Sequence, residues 1–361
     1  MRELEIEKVK VGALRSPLIM PFTISSGSHK ILENVYLEIT LKNGIKGFGE
    51  APIASHITGE SFSKTAENLK KFAVKTKGYS LSNYLRVIIK AEEELENNRA
   101  ALFALQTAVC DAFCKSLKIP MWKFYGNKPK KVQTDITVVI GDEKTAFDFT
   151  QKMRKKGFKV FKIKVGSDFD SDIKRVLAVS KASQRSEIYL DANCAYSAKE
   201  ALSFLSELGK KGVCPTVVEQ PVKKEDLDGL KEVSRKSKSV VLADESAYSL
   251  NDAVRIIDKK AASGINIKLT KLGLLRAAEI RRLALSRGLK LMIGQMMESQ
   301  LATFAALHFS LGSGGFDFLD LDTPYFLAGG IMSYPKNIMS SDGFYDMSSV
   351  KEGVGAQPKK R

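Results

Sequence analysis

The sequence predicts an α/β protein: a closed barrel of parallel strands and helices, preceded by a smaller unit in which strands come first and helices follow. Three observations point there. Short apolar runs, each ending in one ionisable residue, recur as Phe161-Lys162-Ile163-Lys164, Ile188-Tyr189-Leu190-Asp191, Val217-Val218-Glu219, Val240-Val241-Leu242-Ala243-Asp244 and Ile265-Asn266-Ile267-Lys268. Their charges are spaced by 27 (164 to 191), 28 (191 to 219), 25 (219 to 244) and 24 (244 to 268) residues, about one strand plus one helix each. Before this rhythm, residues 35–41 show the period of two that belongs to a half-buried strand.

In chain order, Val35, Leu37, Ile39 and Leu41 alternate with Tyr36, Glu38 and Thr40, and Asn43-Gly44 supplies a hairpin turn before a second strand from Gly47 to Glu50. The stretch Pro21-Phe22-Thr23-Ile24-Ser25-Ser26-Gly27-Ser28-His29 is polar and glycine-bearing, which predicts a loop; Ala51 to Gly59 predicts a second. From Ser61 to Leu117 the period becomes helical, with Leu69, Phe72 and Ala73 on one face, and Ala101, Leu105, Ala108, Cys110 and Ala112 on a tightly packed helix. Pro120 and Gly126 punctuate its exit. The first barrel strand is Thr134-Asp135-Ile136-Thr137-Val138-Val139; Lys290-Leu291-Met292-Ile293-Gly294-Gln295 and Phe316-Asp317-Phe318-Leu319-Asp320 bring the strands to eight. Leu272 to Ser286 reads as a helix with Leu275, Ala278, Ile280 and Leu283 as its apolar stripe. From Tyr325 onward glycine, proline and serine replace the strand-helix rhythm.

Residues two apart on a strand point the same way, so Lys162 and Lys164 project together. A lone Lys-x-Lys protects many edge strands, and a lone acid at a strand end often caps the next helix. Five such ends in register are a different matter. In a parallel barrel the C-terminal ends of the strands open on one mouth, so three carboxylates bracketed by lysines form one site. Hard oxygen ligands without cysteine or histidine suit Mg²⁺ or Mn²⁺. Asp191, Glu219 and Asp244 are therefore the candidate metal ligands, while the adjacent Glu245 is expected on the opposite face of its strand.

Lys162-x-Lys164, Asp191-Ala192-Asn193, Glu219-Gln220-Pro221, Asp244-Glu245-Ser246, Lys268, Met297-Glu298-Ser299 and Asp320-Leu321-Asp322-Thr323-Pro324 together resemble the enolase superfamily, in its muconate-lactonizing-enzyme-like subgroup. The paired aspartates resemble the dipeptide epimerases within it. The resemblance covers nearly the whole chain and implies a modified TIM-type (β/α)7β barrel (128–324), an α+β capping domain (1–127) and a C-terminal segment (325–361) packing back on the cap. The pairing of a lysine base with Mg²⁺ is carried by the resemblance; Mn²⁺ is the alternative ion. Lys164 and Lys268 lie four strands apart, facing each other across an eight-stranded mouth, a geometry that permits removal of an α-proton from one face and return to the other. A doubly negative enediolate needs positive charge where it develops, which a divalent ion supplies. Lys162 is expected to hold the substrate carboxylate and to lower its neighbour's pKa.

By resemblance, Asp320 and Asp322 receive a dipeptide's ammonium, and Thr137 and Gln295 lie at substrate-contact positions, Gln295 standing where close relatives have a cysteine. In Ala-Glu epimerases a capping loop carries an arginine for the glutamate; here Thr23-Ile24-Ser25-Ser26 has no cation, the nearest in sequence being Arg15 and Lys30. Ile24 instead favours hydrophobic or aromatic dipeptides. An L-Ala-D/L-Glu epimerase, an o-succinylbenzoate synthase or a muconate cycloisomerase would share the lysines and metal ligands, although Asp320-x-Asp322 would repel the acidic substrates of the last two.

The 361 residues suffice for a barrel and a cap, and no apolar run reaches the ~18 residues of a membrane span. Met1-Arg2-Glu3-Leu4-Glu5 lacks the apolar segment of a signal peptide, so a cytoplasmic location and no membrane partner are expected. Cys110, Cys114, Cys194 and Cys214 are too sparse for a disulfide framework. A net charge of +16 raises nucleic-acid binding as a non-enzymatic alternative, but the cations are mostly lysines spread over helix faces, such as Lys152, Lys155 and Lys174. The basic end Lys359-Lys360-Arg361 is too short to carry that function. The expected partner is a dipeptide, with no nucleic acid; a homo-oligomer is compatible. His29, His56 and His308 are all expected to be incidental, with only His56, in the second loop, near substrate.

Overall fold

The structure, a computed structural model, describes residues 2–24 and 27–359. Ser25 and Ser26 of the expected capping loop, and Lys360 and Arg361 of the basic C-terminal end, lie outside the described residues.

Strands β1 (Ile6–Ile24) and β2 (Gly27–Leu41) form a long antiparallel hairpin, and β3 (Lys46–Ala51) completes a three-stranded sheet. Val35, Leu37, Ile39 and Leu41 are all buried, as their alternation predicts. Within the stretch expected to be a loop, residues 22–24 and 27–29 are strand-paired: Phe22 opposes His29, Thr23 opposes Ser28 and Ile24 opposes Gly27. A register shift between Pro17 and Phe22 sets this tip apart from the body of the hairpin. Ladder hydrogen bonds are indifferent to side-chain polarity, so a polar tip can pair once a bulge has re-aimed it.

The second loop carries one helical turn, α1 (Ser55–Thr58), before α2 (Phe62–Thr76), α3 (Tyr84–Glu94) and α4 (Arg99–Ser116). Helix α4 is buried nearly all round and lies on the sheet so closely that only glycine fits opposite it. A Cβ at Gly49 would stand 1.8 Å from the Ala104 carbonyl oxygen, and one at Gly47 2.1 Å from that of Ala108. Cys110 and Cys114 are buried in this helix, and burial pushes the Cys114 thiol up to about 12.

After α5 (Met121–Tyr125) and β4 (Val132–Gln133), eight parallel strands alternate with seven helices. They are β5 (Ile136–Val138), α6 (Glu143–Lys156), β6 (Val160–Lys164), α7 (Phe169–Ala182), β7 (Glu187–Asp191), α8 (Ala198–Lys210), β8 (Val217–Glu219), α9 (Leu227–Lys236), β9 (Val240–Ala243), α10 (Leu250–Lys259), β10 (Gly264–Lys268), α11 (Leu269–Ser286), β11 (Lys290–Gly294), α12 (Gln300–Ser313) and β12 (Phe318–Leu319). The strands pair in chain order, the (β/α)7β pattern. First and last strands meet where Asp135 N–H donates to Leu319 O at 3.3 Å and Leu321 N–H to Thr134 Oγ1 at 2.8 Å.

The stripe of α11 differs from the expected one: Leu274, Ala277, Ile280 and Ala284 are buried, while Leu275 and Ala278 are only partly so. Gly273, at φ 71° and ψ 179°, interrupts the helix and restarts its phase. The tail contributes β13 (Met332–Ser333), β14 (Phe344–Tyr345) and β15 (Gln357–Pro358); β14 pairs with β4, and Ala328 N–H donates to Pro17 O of β1 at 2.9 Å. Asp111 of α4 accepts from Phe48 N–H at 2.9 Å and from Val354 N–H at 2.7 Å, tying sheet, helix and tail together. No helix among the described residues is long and apolar enough to cross a membrane.

Candidate active site

Parallel pairing sets Lys164 opposite Asp191, and Asp191 opposite Glu219. Glu219 pairs with Leu242, two residues before Asp244, so all four groups share the inward face at the strands' C-terminal ends. Their ammonium and carboxylate groups interleave. Lys164 Nζ donates to Asp191 Oδ2 at 2.6 Å, Lys268 Nζ to Asp244 Oδ2 at 2.7 Å, and Lys162 Nζ to Glu219 Oε2 at 2.7 Å and Asp320 Oδ2 at 2.6 Å, with Asp191 Oδ2 at 2.9 Å. Lys162 thus meets three carboxylates at once while lining the cavity described below.

Burial opposes ionisation of Asp191, yet Lys162 and Lys164 hold it well below the usual carboxylate range; Lys268 and Lys271 do the same for Asp244. Glu219 goes the other way, pushed up to about 8 by burial and then by the charge of Asp191. Burial alone would lower Lys268, but Asp244 and Glu219 raise it above the ordinary lysine value.

A single cavity of about 60 Å³ is lined by Ile24, Thr137, Lys162, Lys164, Lys268, Gln295, Asp320 and Asp322, bringing together every expected catalytic and substrate-contact residue. Asp191 and Glu219 are fully buried, and Asp244 lines an adjoining cavity of about 450 Å³ that shares Ile57 and Met296 with the first. Asp322 accepts the Thr137 N–H at 2.6 Å. With its amide oriented to satisfy both ends, Gln295 accepts from Asp322 N–H at 2.7 Å and donates to Thr303 Oγ1 at 2.8 Å, so it props the loop that carries Asp322.

Two expectations need correcting. Glu245 does not turn away from the site: it accepts from Asn193 Nδ2 at 3.1 Å near the end of β7 and lines the adjoining cavity, so it backs Asn193, which in turn accepts from Lys164 Nζ at 3.2 Å. Nor is His56 the one histidine near the cavity, since His29 lines it too. Its ring lies 4.8 Å from that of His56, and both line the small cavity beneath the hairpin tip. His308 is buried away from it, between Trp122 N–H and the Val354 carbonyl.

The structure also adds residues. Lys271, one helical turn beyond Lys268, is buried and donates to Asp244 Oδ1 at 2.5 Å, a partner 27 residues away in sequence. Gln220, at φ 34°, bridges two ligand-bearing strand ends by accepting from Asp244 N–H at 2.9 Å and donating to Ser246 Oγ at 2.8 Å. Asp135 is fully buried near Asp320 and Asp322, and nothing in its strand context distinguished it.

Among the described residues, the carboxylates whose oxygens all lie within 4.8 Å of one another are Asp135, Asp320 and Asp322, not the expected Asp191, Glu219 and Asp244, between which ammonium groups are set. The expected set still fits a hard divalent ion. It is all oxygen and on adjacent strand ends, and Asn266, which donates to Glu219 Oε1 at 2.8 Å, keeps a buried Oδ1 without a partner.

The family model described as "Mandelate racemase / muconate lactonizing enzyme, N-terminal domain" matches residues 6–126, and "Enolase C-terminal domain-like" matches residues 146–361. A hydrophobic dipeptide epimerase from Citrifermentans bemidjiense is 41% identical, over 98% of each chain. An L-Ala-D/L-Glu epimerase from Thermotoga maritima is 36% identical over 88% of this chain and 92% of its own. The crystal structure of a dipeptide epimerase from Enterococcus faecalis, complexed with Mg and L-Leu-L-Tyr, superposes with a TM-score of 0.92 at 29% identity, covering 98% of this chain and 99% of that one. Two family models that between them match residues 6–126 and 146–361, and relatives that align over nearly the whole length, establish the lineage: the chain belongs to the mandelate racemase/muconate lactonizing enzyme family of the enolase superfamily.

Proposed function

We infer that the protein is an isomerase that epimerises dipeptides at the carbon α to the C-terminal carboxylate by 1,1-proton transfer, with Mg²⁺ as its cofactor. The observation that carries this is the pair Lys164 and Lys268, borne on strands four apart in the barrel and lining one cavity above buried carboxylates. Asp191, Glu219 and Asp244 are the residues that would hold the ion. When bound, a divalent ion would offset the charge of the three carboxylates and supply positive charge to the substrate carboxylate.

The protein's own groups do the rest. One lysine, as the free amine, takes the α-proton on its side, and the other, as the ammonium, returns one from the opposite side. Asp320 and Asp322 bind the dipeptide's ammonium and fix the α-carbon between the two, with Thr137 and Gln295 holding the loop that presents them. Burial, followed by the charge of Asp320, pushes Asp322 up to about 6, and an incoming ammonium would offset that concentrated negative charge. The cap covers the cavity with Phe22, Ile24, Ile53, His56 and Ile57, which limits water around the reacting carbon.

Hydrophobic or aromatic dipeptides are the preferred substrates. Ile24 lines the cavity with Phe22, Ile53 and Met297, Arg15 is engaged by Glu33 at 2.6 Å, and Lys30 is exposed outside the lining. The similarity to a hydrophobic dipeptide epimerase supports the same choice, while the Ala-Glu reading draws on other relatives of similar coverage. The units 1–127, 128–324 and 325–361 serve as cap, barrel and tail, and four free thiols suit a reducing cytoplasm.

The test is a dipeptide library incubated with enzyme and Mg²⁺ in D₂O. Hydrophobic L,L-dipeptides are expected to gain one mass unit at the α-carbon and to yield a second diastereomer. No exchange with any dipeptide would end the assignment.

A further inference from the structure

Three carboxyl groups meet at the seam between the first and last barrel strands: Asp135 before β5, and Asp320 and Asp322 after β12, with oxygens all within 4.8 Å of one another. Two of them have donors. Asp320 takes Lys162 Nζ at 2.6 Å, and Asp322 takes the Thr137 N–H at 2.6 Å. Asp135 accepts from Thr134 Oγ1 at Oδ1, 3.3 Å away, while its Oδ2 is buried without a hydrogen-bond partner, and the residue is 1% exposed. An ionised carboxylate left so is costly, and its neighbours aggravate the cost. Lys162 is the nearby cation, already shared with Asp191, Glu219 and Asp320; the other ionisable groups facing Asp135 are Glu219 on β8 and Tyr189 on β7. Like charges this close cannot all ionise in a dry site, and a carboxylic acid beside carboxylates has a use for its proton as a hydrogen-bond donor.

We propose that Asp135 is a positioning residue of the ammonium socket: an uncharged carboxylic acid behind the Asp320 and Asp322 pair, whose O–H donates to one of those carboxylates and fixes its orientation toward the dipeptide's ammonium. Asp135 does not line the substrate cavity, so it acts through the pair and does not touch substrate. Burial, and then the charges of Asp320 and Asp322, push its carboxyl well above the usual carboxylate range, in keeping with this geometry. The inference rests on the ammonium role given above to Asp320 and Asp322, but the protonation of Asp135 can be tested without substrate.

Asn, Leu and wild type at position 135 separate the alternatives. An asparagine amide can accept from Thr134 and donate to the pair, so Asp135→Asn rescues function, with KM for a hydrophobic dipeptide within about 3-fold of wild type; Asp135→Leu, lacking the donor, raises KM about 10- to 100-fold with kcat changed far less. Equal damage by both variants would mean that the negative charge is what matters, and an unchanged KM in the leucine variant would mean that the residue positions nothing; either overturns the proposal. If the leucine variant does not fold, infrared difference spectroscopy of wild type against Asp135→Asn at pH 7.5, without substrate, decides. A protonated carboxyl C=O band in wild type that the asparagine variant lacks is expected, and its absence overturns the proposal. Should that band be present while Asp320→Asn and Asp322→Asn leave KM unaltered, the fault lies with the ammonium reading and not with the protonation of Asp135.

Discussion

Lys164 and Lys268 share a cavity but differ in company: Lys164 Nζ touches Asp191 and Asn193, whereas Lys268 Nζ touches Asp244 with Glu219 at 3.8 Å. If each serves one face of the substrate, Lys164→Ala and Lys268→Ala should both lose epimerisation. Each should nevertheless keep wash-out of the α-proton from one diastereomer, because a single base can remove and return a proton on its own side. Proton NMR in D₂O on each pure diastereomer reads this, and normal epimerisation by either variant would refute the opposed-base geometry. The carboxylates carry a separate expectation. Asp191→Asn, Glu219→Gln and Asp244→Asn should each weaken Mg²⁺ binding at least about 10-fold by calorimetry, and chelator-treated wild type should be inactive until Mg²⁺ is restored. Full activity without metal would contradict the cofactor assignment.

At the scale of elements, the close fit between β3 and α4 makes Gly49→Ala a sharp probe. Its added carbon meets backbone that cannot rotate away, so a loss of about 1–3 kcal/mol or more is expected, read as a lower denaturation midpoint by circular dichroism. Helix α12 makes a second test through His308, which burial lowers to about 3. Between pH 6.5 and that value the unfolded chain binds a proton that the folded one refuses, so stability falls as pH falls, by up to about 1.4 kcal/mol per unit. A shallower acid dependence in His308→Gln, followed by urea denaturation from pH 6.5 to 4, is the expected sign. Elements like these also show what a single sequence discloses. The strand ends were legible because burial on both faces makes each strand a continuous apolar run and leaves its one charge conspicuous. The hairpin tip was not, since its pairing rests on backbone bonds and a register shift that side-chain polarity conceals. Asp135, Gln220 and Lys271 escaped for another reason: their meaning lies in partners from 24 to 187 residues away, such as Lys271 with Asp244 and Thr134 with Leu321 across the seam beside Asp135. The phase of α11 was misjudged because Gly273 resets it, and a periodicity argument assumes an unbroken helix.

For the molecule as a whole, the cavity belongs to neither half alone: its floor is barrel, and its roof is the hairpin tip and α1 of the cap. The joint between them is polar and buried. Glu50 of β3 accepts from the N–H groups of Ser299 at 3.0 Å and Ala302 at 3.2 Å at the start of α12, and Asn34 donates both to Glu50 at 2.7 Å and to the Met297 carbonyl at 2.8 Å. The cap is thereby held over the barrel in one register, and Ile24 is carried to the substrate with it. Replacing Ile24 should then change specificity without touching proton transfer. An apolar side chain buried beneath Ile24 gains about 1.5–3 kcal/mol, whereas a glutamate side chain there loses about 1–3 kcal/mol for want of a partner. Wild type should accordingly favour L-Ala-L-Phe and L-Phe-L-Tyr over L-Ala-L-Glu by at least about 10-fold in kcat/KM, and Ile24→Arg should narrow or reverse that ratio, mainly through KM. Loosening the joint with Glu50→Gln should instead weaken all three substrates together, since it displaces the roof without altering its chemistry. A wild-type preference for L-Ala-L-Glu would refute the apolar reading of the roof. Equal losses from Ile24→Arg and Glu50→Gln on every dipeptide would show that Ile24 holds the cap in place and does not read the substrate.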